Sequence, residues 1–244
     1  MVAYGRARTP GKVDPAAVTA NVAAGYLDAQ LADSPLVVHS MGEASGTTMQ
    51  DSSGNSRNGT YSSATVGAAG MIMGSTSVDF NGSSSTAQIS DAAWMDVNAI
   101  TVEAIVNFDA FGSVSRPIAC RYAASNAVWV LYEEGSTGGV VRWYCIDTTG
   151  SAKIVSSAAL TVGTTYHIAA TYDATAGSKL YVNGSQVGTT ATGNALRASA
   201  LPINWASWPQ IPAYLDGRLQ GCAIYGSALP AARLLTHAQA AGLA

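Results

Sequence analysis

Residues 100–108 read ITVEAIVNF. Ile100, Val102, Ala104, Val106 and Phe108 take alternate positions, so an extended chain puts all five on one face. Glu103 falls on the other face. Residues 165–173, TYHIAATYD, repeat the pattern with Tyr166, Ile168, Ala170 and Tyr172. VWVLYEE (128–134) and VVRWYCI (140–146) flank GSTGG, which reads as a hairpin with a flexible tip. KLYVNGSQVGT (179–189) carries Asn183-Gly184 between two strand-like runs. That dipeptide tolerates positive φ at both central positions of a two-residue hairpin turn. Many short strands, Gly-rich turns and no interleaved helices predict an all-β antiparallel sandwich.

Two segments depart from the period of two. DPAAVTANVAAGYLDAQLADSP (14–35) reads as a helix. Asp14 suits its cap and Pro15 its first position. Val18, Val22 and Tyr26 form one row, and Ala23, Leu27 and Leu31 the next; the opposite face is mostly Ala, Asn and Gln. LPAARLLTHAQAAG (229–242) reads as a closing helix, with Leu234 and Leu235 inward and Gly242 beyond its end. Residues 1–13 form a basic arm holding Arg6, Arg8 and Lys12. No apolar stretch follows the arm, which argues against a secretory signal.

Apolar residues make up 48% of the 244, enough for a large core, whereas charged residues make up only 11%. Ordinary soluble domains carry roughly 25% charged residues, so this surface depends on neutral polar groups. That suits a chain packed in an assembly. The net charge of −3 offers no basic footprint for nucleic acid. No run of 18 apolar residues exists, so no membrane span is expected. Cys120, Cys145 and Cys222 form no CxxC pair and lie in apolar runs, as buried free thiols do.

Taken in order, SVDFNGSSSTAQIS (77–90), ITVEAIVNF, TTYHIAATYD (164–173), KLYVNGSQVG and LDGRLQGCAIYGSALPAARLLTHAQ (215–239) resemble laminin G-like domains of the concanavalin A-like lectin/glucanase superfamily. PLVVHSMGEASGTTMQDSSGNSRNGTY (35–61) resembles the first strand and loop of such domains. The resemblance covers residues 34–241. YLDAQLADSP (26–35) resembles the short helix that leads into such domains in tailed-phage virion proteins. The fold implied is an antiparallel jelly roll, with a short N-terminal arm and helix and a C-terminal helix. The organisation implied is an attachment segment over 1–34 and a sandwich domain over 35–244. Gln220 and Gly221 stand where the family usually has an acidic pair.

Glucanases of this superfamily place carboxylates two and three residues apart on one strand, where one attacks and the other donates a proton. Only Glu43, Glu103, Glu133 and Glu134 are present as glutamates, and none has an acidic residue two positions away. Glu133 and Glu134 are adjacent, so a strand points them to opposite faces. Glu103 reads as a structural strand residue. His39, His167 and His237 come with no GxSxG elbow. The sequence reads as a binder and not an enzyme.

DSSGNSRNGTY (51–61) is polar and Gly-punctuated. An EF-hand needs a bidentate acidic ligand at its twelfth position, and Ser62 is there. The Asn-Gly pairs at 58, 81 and 183 fit glycosylation sequons, but they read better as turns. The resemblance implies a Ca2+ site from Asp51, Asn55, Asn58 and Asp216, weakened or lost where Gln220 and Gly221 replace the acidic pair. The alternative is a loop in which Asp51 caps its own backbone.

INWASWPQIPAYLDG (203–217) is the expected ligand loop. Trp205 continues the alternation of Leu201 and Ile203 and is expected in the core. Trp208 follows the break in alternation, beside Pro209, and could offer a flat face to a sugar. Tyr214, Asn204 and Gln210 are its expected partners; the alternative is that Trp208 only packs on the sandwich edge. The resemblance thus implies a virion-surface protein, made in a bacterial cytoplasm. Residues 1–34 would dock on a phage capsid or tail protein, and the sandwich would bind a cell-surface glycan or other ligand. A second copy of the chain is a further partner this reading allows. A purely structural cement subunit and a degenerate glycosidase are the alternatives.

Overall fold

The computed structural model describes residues 15–123, 127–190, 192–208 and 210–244, with backbone alone for 15–21. The basic arm, the Asp14 cap, the Val18 side chain and Pro209 lie outside the described residues. Helix α1 (Pro15–Leu31) comes first. It is followed by β1 (Val37–His39), β2 (Thr48–Met49), β3 (Gly59–Ser62), β4 (Thr65–Ala69), β5 (Thr76–Asn81) and β6 (Thr86–Ile89). Next come β7 (Ile100–Phe108), β8 (Arg116–Arg121), β9 (Trp129–Glu134), β10 (Val140–Ile146), β11 (Ala152–Ala159) and β12 (Thr165–Asp173). The chain ends with β13 (Gly177–Val182), β14 (Ser185–Thr189), β15 (Ile203–Trp205), β16 (Ser207–Trp208), β17 (Ala213–Tyr214), β18 (Asp216–Tyr225) and helix α2 (Ala231–Ala240).

All strands but β16 and β17, which pair with each other as a separate ribbon, form two antiparallel sheets packed face to face, as the alternation predicts. One runs β14-β13-β12-β7-β18-β5-β4, with β1 also on β18. The other runs β11-β10-β9-β8-β15-β6-β3-β2. The Asn183-Gly184 turn joins β13 to β14 with φ of 50° and 74°, the left-handed pair that such a hairpin requires. Val102, Ala104, Val106 and Phe108 of β7 and Ile168, Ala170 and Tyr172 of β12 enter the core between the sheets. They meet Trp129 and Leu131 of β9, Trp143 of β10 and Trp205 of β15. Tyr166 packs against this core from its edge. All three cysteines are buried and free.

The outer face of the first sheet is covered by both helices. Val38, Ala169, Tyr181, Ala223 and Tyr225 pack there with Leu234 of α2 and with Leu27 and Leu31 of α1. Tyr26 and Ala23 pack nearby with Ile105 and Ile72. The row Ala23, Leu27 and Leu31 is therefore used, as is Tyr26 of the other row, whose Val18 side chain lies outside the described residues; Tyr26 and Gln30 are the fully buried side chains of α1 among the described residues. In α2, Leu234 is buried but Leu235 is 39% exposed, contrary to expectation. The buried row is Leu234, His237, Ala238 and Ala241. That is helical spacing, and it leaves Leu235 about 100° away. Gly242 ends the helix at φ 73°. Its N–H donates to Gln239 O, and that of Leu243 to Ala238 O, a Schellman pattern.

Glu103 stands at the centre of this covered face with no exposed surface. Its Oε1 accepts from Gln30 Nε2 (2.9 Å) and Tyr225 OH (2.7 Å). Its Oε2 lies 3.0 Å from His167 Nε2 and 3.0 Å from His237 Nδ1. The other nitrogen of His237, Nε2, lies 2.9 Å from Asp33 Oδ2. Arg233 Nε completes the chain by donating to both oxygens of Asp33. With a carboxylate at each ring nitrogen, His237 donates twice, as an imidazolium does. Burial alone would lower its pKa, but Glu103 and Asp33 outweigh that and raise it. Burial would likewise raise Glu103, but the bonds from His167 and His237 hold it well below the carboxylate range. Gln30 continues the row of Val22 and Tyr26 at spacing four; it is buried there and not on the polar face, and Glu103 and the Gly221 carbonyl both take its amide.

Gln220 and Gly221 seat the loop after β4 and α1. Gln220 Oε1 accepts from the N–H groups of Met71 and Ile72. Gly221 has φ 57°, and a Cβ there would lie 2.4 Å from the Tyr26 ring. Its carbonyl accepts from Tyr26 OH at 3.2 Å.

Three outcomes follow. Removing one partner of a buried charge pair costs about 3–5 kcal/mol. Glu103→Ala should therefore lower the Tm by roughly 6–20 °C in a chain of this size; a Tm within 2 °C of wild type, a threshold of about 0.5–1 kcal/mol, would refute the role given to Glu103. Gly221→Ala should destabilise by more than the roughly 1 kcal/mol usual for a non-glycine forced to positive φ, since it also strikes Tyr26. Urea melts would measure it, and an unchanged midpoint would show that α1 does not rest there. For pH, a lowered Glu103 pKa contributes stability above the ordinary 4.5 that is lost as pH falls through the folded value. A raised His237 pKa contributes stability below 6.5 that is lost as pH rises through the folded value. Stability should thus fall on the alkaline side of 6.5, and His237→Gln should flatten that limb. A wild-type profile level from pH 6.5 to 9 would contradict the imidazolium.

Candidate functional site

Because helices cover the first sheet, the outer face of the second is the broad sheet face left open. The register of β9 and β10 places Tyr132 opposite Arg142 and Tyr144 opposite Val130. Trp129 and Leu131 point into the core, so Tyr132 points out; Trp143 and Cys145 point in, so Tyr144 points out. Trp208, half-buried, comes over this face from β16. Its ring centroid lies 5.5 Å from that of Tyr122 and 5.8 Å from that of Tyr132, tilted by 44° and 43°. These rings with Tyr144, Val130, Ser115 and Glu134 line a hollow of about 370 Å³. Trp208 Nε1 is turned inward, with no hydrogen-bond partner among the described residues. Glu134 Oε2 pairs with Arg142 Nη1 at 2.6 Å, and Ser136 Oγ donates to Glu134 Oε1. Glu133, one residue earlier, is fully buried on the other side of β9, where burial raises its pKa.

Two of the expected partners of Trp208, Tyr214 and Asn204, lie elsewhere. In the β16–β17 ribbon, Trp208 pairs with Ala213 and Tyr214 with Ser207. Neighbours along a strand face opposite ways, so Trp208 and Tyr214 point to opposite sides of the ribbon. Asn204 is 2% exposed and accepts from Gln88 Nε2 through Oδ1. It pairs with Cys120, whose Sγ–H donates to Ser207 O, so the start of the ribbon lies over that part of the sheet. Gln210 is exposed near the ribbon tip. Trp205 is fully buried in the core, as its alternation predicts.

The four residues expected to hold calcium do not come together. Asp51 Oδ1 accepts from the N–H groups of Val38 (3.1 Å) and Ser53 (2.9 Å), and Oδ2 accepts from Arg57 N (2.9 Å). Burial would raise its pKa, but these donors lower it. Asn58 Oδ1 accepts from Asp51 N, and Asn55 Nδ2 donates to the carbonyls of Pro35 and Leu36. The loop therefore has the self-capping arrangement, with N–H groups occupying the oxygens a cation would need. Asp216 pairs with Arg116 at 3.2 Å. Asp51 bridges to His39, which pairs with Cys222, six positions along β18 from Asp216. At about 3.3 Å per residue the two carboxylates sit roughly 15–20 Å apart. The four residues as placed do not fit one calcium ion, and no cluster of three His, Cys, Asp or Glu with metal-binding geometry occurs among the described residues. Asp51→Ala should lower the Tm equally in calcium and in chelator; a loss seen only with calcium would restore the ion to this loop.

Tyr122, Tyr132 and Tyr144 are the site residues that motif reading missed. Their signal was present: once GSTGG is the turn, Tyr132 and Tyr144 are large aromatics on the side of the hairpin that faces away from the core. Only the ribbon's fold back over β8 brings Trp208 to them.

Among curated proteins, none matches this chain in sequence. Solved structures match its fold. The binding domain of Paraclostridial Mosquitocidal Protein 1 aligns with a TM-score of 0.68 at 15% identity, over 86% of this chain and 52% of that one. The botulinum neurotoxin type G receptor binding domain aligns with 0.61 at 15%, over 84% and 51%. A Trypanosoma rangeli sialidase in complex with sialic acid aligns with 0.59 at 14%, over 91% and 38%. The chain spans about half the length of the two toxin domains. At these identities the likeness shows the fold alone. The sequence profile of Laminin_G_3 matches residues 81–234, well over half of the chain, and the protein belongs to that family of the concanavalin A-like lectin/glucanases superfamily.

Proposed function

We propose that this protein is a non-enzymatic, lectin-like binding module that seats a carbohydrate in the Trp208–Tyr132–Tyr144 hollow. The observation carrying this reading is the aromatic lining itself. Sugars present apolar C–H faces that rings can cover, and a hollow of about 370 Å³ is within the usual range for small-ligand sites. Glu134, Ser115 and the tyrosine hydroxyls supply hydrogen-bonding groups at its wall. Two of the structural neighbours are named as binding domains, one of a mosquitocidal protein and one of a neurotoxin, which favours recognition as the use of this fold. The carboxylates favour a binder over a hydrolase. Glu103 is sealed under the helices, and Glu133 and Glu134 face opposite sides of β9.

The wider setting we propose is a phage virion surface, with residues 1–34 anchoring the sandwich to a capsid or tail partner. It rests on the likeness of residues 26–35 to the lead-in helix of such proteins and on the low charge content. The same low charge favours the second reading, a cement subunit that only packs.

A glycan array with the purified protein tests the site. Trp208→Ala and Tyr144→Leu should each weaken binding at least tenfold, about 1.4 kcal/mol. Because Trp208 is only half-buried, Trp208→Ala should cost less than the roughly 3–5 kcal/mol usual for a buried aromatic. Trp205→Ala should cost that full amount. An array silent at high protein concentration, or binding untouched by both hollow variants, would remove the lectin reading.

A further inference from the structure

We infer that the glycan bound at the hollow carries an anionic substituent, a carboxylate or a sulfate, which Arg197 receives beside Tyr144; this rests on the hollow being the glycan site. Trp208 packs directly on Tyr122 and Tyr132, so no sugar enters between those rings. Tyr144 stacks on no other ring among the described residues and is half-buried. Its neighbours across the sheet are Val130 on β9 and Ile154 on β11. Residues paired across two strands share a face, so Ile154 points outward with Tyr144. Ile154 is 48% exposed. Tyr144 and Ile154 thus form an open ledge beside the packed rings, where a sugar can lie with its C–H face down.

The charges around this ledge favour an anion. Arg142, two positions along β10, neutralises Glu134 at 2.6 Å and donates to the Tyr132 hydroxyl. Arg197 comes to Tyr144 from the segment after β14. Its backbone N–H donates to Ile146 O at the end of β10, and its guanidinium is close enough to act on the Tyr144 phenol. Arg197 is half-exposed, and no carboxylate among the described residues forms an ion pair with it. Asp147, which follows Ile146, is buried on the other side of the strand. Its oxygens accept from the N–H groups of Thr149, Ser151 and Asn194. Two guanidinium groups therefore stand against one outward carboxylate, and the uncompensated charge is that of Arg197. The Tyr122 hydroxyl lies near that of Tyr144, so phenol O–H groups flank the guanidinium. Planar N–H donors of this kind match an oxyanion and form strong, charge-assisted bonds. A cationic sugar would be repelled here, and a neutral one would leave Arg197 to water.

The test is an array of neutral, carboxylated and sulfated glycans probed with the full chain, with Arg197→Gln, Arg197→Lys and Tyr144→Leu beside wild type. Wild type should hold acidic glycans at least tenfold more tightly than their neutral parents, and should lose part of that margin as salt is raised. The carboxylated and sulfated members tell the two substituents apart. Arg197→Gln should erase the preference with the Tm unchanged, because the side chain holds no ion pair within the protein. Arg197→Lys should keep part of it, since the charge stays and the planar fork goes. The comparison of acidic with neutral glycans on wild type needs no variant to fold. Equal capture of both, or a preference that survives Arg197→Gln, would overturn the inference. So would acidic capture untouched by Tyr144→Leu, which would put the anion elsewhere. Neutral glycans captured by wild type and lost in Trp208→Ala, with no acidic preference, would overturn it while the glycan site stands. An array silent in all three classes would remove both.

Discussion

Glu103 is the constraint on which the rest of the molecule depends. A carboxylate with no exposed surface is tolerated only where donors replace its water. Here they come from α1, β12, β18 and α2. One side chain on β7 thereby fixes both helices against the first sheet. His237 extends the arrangement to Asp33, and Arg233 closes it. The partners of Glu103 lie 64 to 134 residues from it in sequence, so the network exists only when the sandwich has formed. Catalytic-looking residue types, a Glu, an Asp and two His, thus serve as an internal lock.

That lock decides where a ligand can go. By holding the helices on the first sheet it leaves the second sheet's outer face as the broad open one. The β16–β17 ribbon then divides that face, burying Asn204 near its base and carrying Trp208 toward Tyr132. Polar groups in the early loop are spent differently. Asp51 satisfies three backbone N–H groups that would otherwise lie unpaired at the sandwich edge. A loop rich in oxygen ligands is in this way a structural cap. Gly221 belongs to the same economy of space, since it leaves room for the Tyr26 ring.

Local sequence fixed a good deal of this. The period of two in 100–108 and 165–173 marked the core faces, because successive side chains of an extended strand must point opposite ways. Asn183-Gly184 marked a hairpin because few other pairs accept left-handed backbone twice. The packing of Tyr26 and of the Ala23–Leu27–Leu31 row of α1, the end of α2 at Gly242 and the core place of Trp205 were legible for the same kind of reason. The order of short motifs carried the family. Each of these signals acts between residues a few positions apart. What only the tertiary structure decided are meetings between distant segments: Gln30 turning inward to Glu103, Leu235 left outside, Tyr214 facing away from Trp208, and Tyr122, Tyr132 and Tyr144 gathering around that ring. Such meetings depend on strand order and on how one ribbon folds back over a sheet. Periodicity says which side of an element faces in, but it does not say which other element will be there to meet it.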